Sequence, residues 1–306
     1  MRAPIVLFVY KRLKQTIQTV DALRSNILAG ESDLFIYADG PKSDADRESV
    51  QSLRDYLKEI SGFKSVVIVE SPENKGLALS IVKGVSEAVN RYGRAIVLED
   101  DIVTSPYFLQ FMNDALDEYA NDAKVMSISG YMYPHSQRLP DTIFFNVPLC
   151  WGWATWKRAW DQYNDSASFH IDFLDRTNGW RAFNKFGGKY LERQLRKNAR
   201  GTMNTWFIYW HASVFYHKGF CLYPSRTLVH NIGFDSSGEH GASTRKYYSP
   251  ISRQRITVNR QSLIEDSEAR KIILRFYLLK NNRYINAIKR IYHRIKPKTS
   301  LLSGLS

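Results

Sequence analysis

The sequence predicts an α/β fold, a mostly parallel sheet with helices on both faces, and three observations carry that prediction. Short apolar runs alternate with helix-period segments through the first half of the 306-residue chain. Turn-forming or acidic residues follow those runs directly, as at Asp39-Gly40-Pro41 and Glu99-Asp100-Asp101. The apolar fraction of 44% supports a sizeable core, yet no stretch approaches the roughly 20 apolar residues of a spanning helix.

Taken in order, 5–9 reads as a buried strand and 14–28 as a helix, with Ile17, Val20, Leu23 and Ile27 at helical spacing. A second strand covers 34–38, a helix 44–60, a third strand 65–69, a helix 76–92 and a fourth strand 95–98. Right-handed crossovers then put the C-terminal ends of these strands on one edge, where open α/β sheets bind ligands. Tyr10, Asp39 and the Glu99–Asp101 triplet all converge there. Ser105 and Pro106 suit the start of a helix over 107–119, and 125–129 reads as another strand. After Gly130 the character changes, with Trp151, Trp153, Trp156 and Trp160 inside ten residues. Helical patterns follow at 180–197 and 204–217, with short strands at 222–223 and 227–229. The glycine-rich stretch 233–241 predicts a mobile loop, 247–256 an irregular segment, and 266–296 a long helix before Pro297.

Charge is uneven. From Arg245 onward fifteen Lys or Arg face only Glu265, Asp266 and Glu268, so the tail carries nearly all of the net +13. A polyanionic partner for the tail follows, with no reason to expect a general nucleic-acid binder. Apolar Leu274, Leu278, Ile285, Ile288, Tyr292 and Ile295 recur at helical spacing among the cations. Such a helix suits an anionic membrane surface, or it packs on the body with its cations outward. Cys150 and Cys221 build neither a disulfide framework nor a zinc site, which makes a reducing cytoplasm the default.

Three adjacent carboxylates repel one another unless a cation sits among them, and oxygen ligands suit Mn²⁺ or Mg²⁺. A cation there would neutralise a diphosphate leaving group. Asp39 is placed to accept from a base or ribose, or serves simply as a turn former before Gly40. Lys75 opens a helix on the same edge, a natural anion site.

The runs Val6–Arg12, Tyr37–Gly40, Asn74–Ala78 and Val97–Ile102, with Ser105–Phe108, resemble the GT-A fold of nucleotide-sugar-dependent glycosyltransferases. The likeness is to bacterial surface-polysaccharide transferases and to the eukaryotic N-acetylglucosaminyltransferase I family. It implies a nucleotide-sugar-binding half over 1–130, an acceptor-side half over 131–245 and a basic helical tail over 246–306. Arg12 would touch the diphosphate, Asp39 the uracil, and Asp100 the ribose or sugar, with Tyr10, Lys75 and Glu99 completing the donor site. Asp101 would be the direct metal ligand, and His230 or His240 could reach the metal or diphosphate. The resemblance also implies a UDP-sugar donor and inversion at the anomeric carbon, with a glycan or lipid-linked acceptor.

Gly152–Trp156 resembles the family's acceptor side, so Trp151, Trp153 and Trp156 are expected to offer rings to sugar faces, or else to form core. The 225–240 stretch resembles the loop that closes over the donor. The eukaryotic relatives carry an acidic pair before a Trp where this chain has Asn204-Thr205-Trp206. That departure leaves Asp235, Glu239 and Asp161 as candidate bases, with Asp235 preferred for its place in the loop. The expected protein is a cytoplasmic, membrane-peripheral transferase of bacterial polysaccharide or lipopolysaccharide assembly. A sugar-1-phosphate nucleotidyltransferase and a non-catalytic glycan-binding protein are the alternatives. Tyr10-Lys11-Arg12-Leu13 lacks the glycines the former needs, and the latter predicts no affinity for metal or UDP.

Overall fold

A computed structural model describes residues 1–186, 188–234 and 247–281, and the side chains of these up to residue 278. The first half runs β1 (Ile5–Val9), α1 (Leu13–Arg24), β2 (Asp33–Ala38), α2 (Arg47–Leu57), β3 (Ser65–Glu70), α3 (Leu77–Tyr92) and β4 (Arg94–Glu99). It continues with β5 (Ile102–Thr104), α4 (Phe108–Glu118), β6 (Val125–Ser129), β7 (Thr142–Phe145), β8 (Trp153–Trp156) and α5 (Lys157–Trp160). Then come α6 (Ala167–Arg176), α7 (Trp180–Phe183), α8 (Lys189–Ala199), α9 (Trp206–Tyr216), β9 (Phe220–Pro224), β10 (Val229–Asn231) and α10 (Ser267–Asn281).

Eight strands form one sheet in the order β3-β2-β1-β4-β8-β6-β9-β7. The parallel pairs β1–β2, β1–β4 and β2–β3 put Val9, Ala38 and Glu99 at the same edge, as the alternating pattern predicts. Every residue of β1 is buried, because helices cover both faces of a central parallel strand. Gly84 of α3 lies so near the Phe8 ring that an added Cβ would come within 2.8 Å of it, so glycine lets the helix sit down on β1. Gly93, at φ +76°, ends α3 and turns the chain directly into β4.

The second half holds the surprises. β8 is antiparallel to both β4 and β6 and lies between them, joining strands of both halves in a single sheet. β7 and α6 were not anticipated, since neither run is long or strongly periodic. The helix expected over 180–197 is two helices, with Gly188 at φ +60° opening the second. Segment 247–256 is irregular, as expected, and only residues 233 and 234 of the predicted mobile loop lie inside the described residues.

The C-terminal segment returns along β7. Glu265 bridges Phe144, and Gln261 Nε2 donates to Thr142 Oγ1 at 3.0 Å. α10 then buries Ala269, Ile272 and Ile273 and lays Phe276 and Tyr277 against the Tyr133 ring. Of the expected apolar stripe only Leu274 and Leu278 are described, Leu274 packed against the core and Leu278 exposed. Residues 282–306, with six of the tail's fifteen Lys or Arg, lie outside the described residues. Among the described residues no helix is long and apolar enough to cross a membrane.

Candidate functional site

Three strand ends supply the predicted rim. β4 delivers Asp100 and Asp101, and β1 delivers Arg12, whose guanidinium reaches both carboxylates. Arg12 Nε donates to Asp100 Oδ2 at 3.2 Å, and Nη2 donates to Asp100 Oδ1 and, at 2.9 Å, to Asp101 Oδ2. Both carboxylates are buried, so the pair depends on this cation. Thr19 Oγ1 donates to Asp100 O at 2.9 Å, tying the end of β4 to α1.

Burial pushes the Asp100 carboxyl up to about 6 even though Arg12 pulls the other way. Burial, then the charges of Asp101 and Asp100, lift Glu99 well above the ordinary carboxylate range, with Arg12 opposing. Burial works against the charged form of Arg12, but the hydrogen bond and charge of Asp100, with Asp101 behind them, win and raise its pKa. Cys150 is a neighbour the sequence reading missed. Its thiol is pushed well up, first by burial and then by the charge of Glu99.

Asp39 ends β2 as expected and has a firm structural task. Oδ1 accepts from the N–H of Gly40 at 2.9 Å and of Lys75 at 2.8 Å, while Oδ2 accepts from Gly76 at 2.9 Å. This buried carboxylate holds the 71–76 loop against β2 and lies at the start of α3, where an anion is favoured. Lys75 is therefore beside Asp39 on the expected edge. Tyr10 lies there too, its hydroxyl donating to Asp46 Oδ2 at 2.9 Å and accepting from Lys42 N at 2.9 Å.

A small second ribbon roofs the rim. β10 pairs antiparallel with β5, His230 opposite Val103, and Ile232 N–H donates to Asp101 O at 2.9 Å. His230 stacks edge-on against Tyr248 at 5.0 Å, and burial lowers its pKa. Gly233 passes so close to the acidic pair that an added Cβ would lie 2.1 Å from Asp101 Oδ2 and 3.1 Å from Arg12 Nη1. Beside it, Trp151 meets Tyr131, Phe234 and Tyr247 with centroids 4.7, 5.4 and 5.4 Å away. Gly233 and Phe234 belong to the 225–240 stretch expected to lie over the donor, whereas nothing in the sequence marked Tyr247 as a neighbour of Trp151.

Other expected residues fall elsewhere. Trp153 and Trp156 are 1% and 4% exposed, so neither offers a ring face to an acceptor. Trp153 stacks on Trp206 at 5.3 Å, and Trp156 Nε1 donates to Leu116 O at 3.0 Å under the guanidinium of Arg158. Asp161 cannot serve as a base at this rim. β8 runs antiparallel to β4 with Trp156 opposite Arg94, which carries Asp161 to the other edge of the sheet, about 20 Å away. There it pairs with Lys157 at 2.7 and 2.8 Å and helps line a cavity of about 300 Å³ with His170 and His217. Asp235, Glu239 and His240 lie outside the described residues. Among the described residues no group of three or more His, Cys, Asp or Glu is gathered as a metal cage.

The sequence model of glycosyl transferase family 2 matches residues 5–214. Among solved structures, a mannosyltransferase of Pyrobaculum calidifontis in complex with GDP-Man and Mn²⁺ is 12% identical, with 44% of this chain and 36% of that one covered and a TM-score of 0.30. TarS of S. aureus is 12% identical over 46% of this chain and 23% of its own, with a TM-score of 0.32. Mouse xyloside xylosyltransferase 1 is 13% identical over 43% and 53%, with a TM-score of 0.28. The chain thus spans less than two thirds of the length of each. No curated protein matches the sequence.

Proposed function

The chain belongs to glycosyl transferase family 2 and has a GT-A-like fold, and from that premise we propose that it moves a sugar from a UDP-sugar to a glycan or lipid-linked acceptor with inversion. The nucleotidyltransferase and glycan-binding alternatives give way to family membership. The observation that carries the donor reading is the meeting of Arg12, Asp100 and Asp101 on one rim, with Asp39 at the end of the neighbouring strand pair. Buried carboxylates already held around a positive group are suited to Mn²⁺ or Mg²⁺, and their all-oxygen chemistry fits a hard cation. Asp101, with Asp100 beside it, would hold the metal, whose Lewis acidity favours departure of the diphosphate. Arg12, released from the carboxylates, would then face the diphosphate as its partner.

Asp39 orders the 75–76 amides and presents its remaining acceptor capacity to the base. Glu99, protonated more readily than an ordinary carboxylate, is suited to donating a hydrogen bond beneath the site rather than to adding charge. Asp235 follows Phe234, whose ring packs on Trp151, and this adjacency supports Asp235 as the base, with Glu239 its alternative. Trp151, half-buried beside the rim, is the one Trp of the three still suited to an acceptor. The cation-rich tail suits an anionic bilayer, and surface-glycan assembly in bacteria is the process that would place a lipid-linked acceptor there.

Calorimetric titration of UDP, with and without Mn²⁺, tests the donor assignment on the wild type and on Asp101→Ala. Metal-dependent heat in the wild type, lost in a variant that still melts cooperatively, is the expected result. Equal heats with and without Mn²⁺ in the wild type would remove the metal from the proposal.

A further inference from the structure

The eight-stranded sheet has two ends, and they are finished differently. At the β7 end the returning C-terminal segment covers the edge, with Glu265 bridged to Phe144 and Asp266 N–H donating to Phe144 O. At the other end β3 pairs with β2 alone, and among the described residues nothing pairs with its outer side. Alternate N–H and C=O groups of a six-residue strand therefore face outward, a row that natural edges usually blunt with proline, a bulge or a covering segment. β3 contains no proline, and its register with β2 is unbroken over all six residues.

The residues of that edge are self-complementary. In Lys64-Ser65-Val66-Val67-Ile68-Val69-Glu70, positions equidistant from Val67 match opposite charges at the ends and apolar Val66 with Ile68 near the centre. If a second copy of the strand ran antiparallel with Val67 opposite Val67, Val66 would meet Ile68, Ser65 would meet Val69, and Lys64 would meet Glu70. Val67 and Val69 are 41% and 38% exposed, unusually open for strand valines, and this pairing brings all four onto one shared face. Val66 and Ile68, already packed against the core, would extend the apolar layer on the other face. Lys64 contacts Asp33 at 3.2 Å and Glu70 contacts Arg54 at 3.4 Å, so both charges are held at the strand's ends, where the partner's opposite charge would fall.

We infer that two copies of this chain join through β3 about a two-fold axis at Val67, making one continuous sheet of sixteen strands. Among the described residues the eight-stranded sheet of each chain has one open edge, so the assembly closes at two. The C-terminal ends of the parallel strands in the two copies then point in opposite directions, leaving both Arg12–Asp101 rims clear of the joint.

Sedimentation velocity of the full chain over a micromolar concentration series reads the assembly directly. The wild type should pass from one-chain to two-chain mass as concentration rises. Val67→Lys sets two ammonium groups side by side on the axis and should weaken association by about tenfold or more. Lys64→Glu and Glu70→Lys each create two like-charged pairs by symmetry and should weaken it about tenfold, while the double exchange K64E/E70K should restore it. A wild type of one-chain mass throughout, or one that grows beyond two chains, overturns the inference. So does a dimer indifferent to Val67→Lys. Were Val67→Lys to melt early, the exchange decides: two single variants that dimerise like the wild type, or a double variant no better than either, overturn it equally.

Discussion

Gly233→Ala is the most demanding test of the rim, because it adds one methyl group and no charge. The new Cβ would stand 2.1 Å from Asp101 Oδ2, whereas real Cβ atoms essentially never approach within 3.0 Å of a neighbour. Something must therefore move by about 1 Å, and the options are few. Asp101 is buried and gripped by Arg12 at 2.9 Å, while its own carbonyl holds Ile232 N–H at 2.9 Å. Overpacking of this kind costs about 1–3 kcal/mol. A displacement of about 1 Å at a ligand carboxylate lowers turnover by about a hundredfold where that carboxylate positions the reacting groups. The assay pairs a thermal melt with calorimetric UDP titration in Mn²⁺. The expected outcome is a lowered melting temperature together with weakened metal-dependent binding. Gly30→Ala, whose Cβ meets nothing within 4 Å, serves as the neutral reference. A Gly233→Ala protein matching that reference in both measurements would show that residues 232–234 do not press on Asp101, and the reasoning would fail.

Asp39→Ala removes the acceptor of three backbone N–H groups and should cost about 3 kcal/mol in chemical denaturation, with faster amide exchange at Lys75 and Gly76. Asp39→Asn keeps Oδ1 but turns an amide toward Gly76 N–H, so its loss should be smaller; equal stability of all three proteins would contradict the clamp. His211, 2% exposed between Phe183 and Phe207, is held by burial at about 4, below the usual histidine value of 6.5. The unfolded chain therefore binds more protons between those two values, and stability is full above pH 6.5 and falls toward pH 4. The difference of about 2.5 pH units corresponds to about 3 kcal/mol. His211→Phe should flatten that part of the stability–pH curve, and a variant with an unchanged slope would count against it.

How much of this was legible before the structure depends on the range of the interactions. β1 to β4 and their helices form from neighbouring segments, so periodicity and turn residues located them to within a few residues. Asp39, Asp100 and Asp101 follow from the same local logic, since a strand end in a parallel sheet fixes where the next residue goes. β7 and β8 did not announce themselves, because four-residue strands carry too little alternation. The direction of β8 mattered most: Asp161, five residues past Trp156, was assigned to the wrong edge because nothing local says that the strand runs backwards. Tryptophans that looked like a sugar platform proved mostly to be core, for burial and stacking draw on the same aromatic surface. The approach of Gly233 to Asp101 spans more than a hundred residues, and only the likeness of 225–240 to a donor-covering loop pointed toward it.

The strand order also bears on how the protein emerges from a ribosome. β3, β2, β1 and β4 are adjacent in space and complete by residue 99, so these four strands can pair with one another while most of the chain is still to be made. β6 must wait for β9, which begins at Phe220, and β7 must wait for the same strand. Contacts at such separation form slowly. During that interval β4 offers a bare side to solvent until β8 arrives, and the nascent chain is most in need of chaperone cover while residues 100–150 are being added.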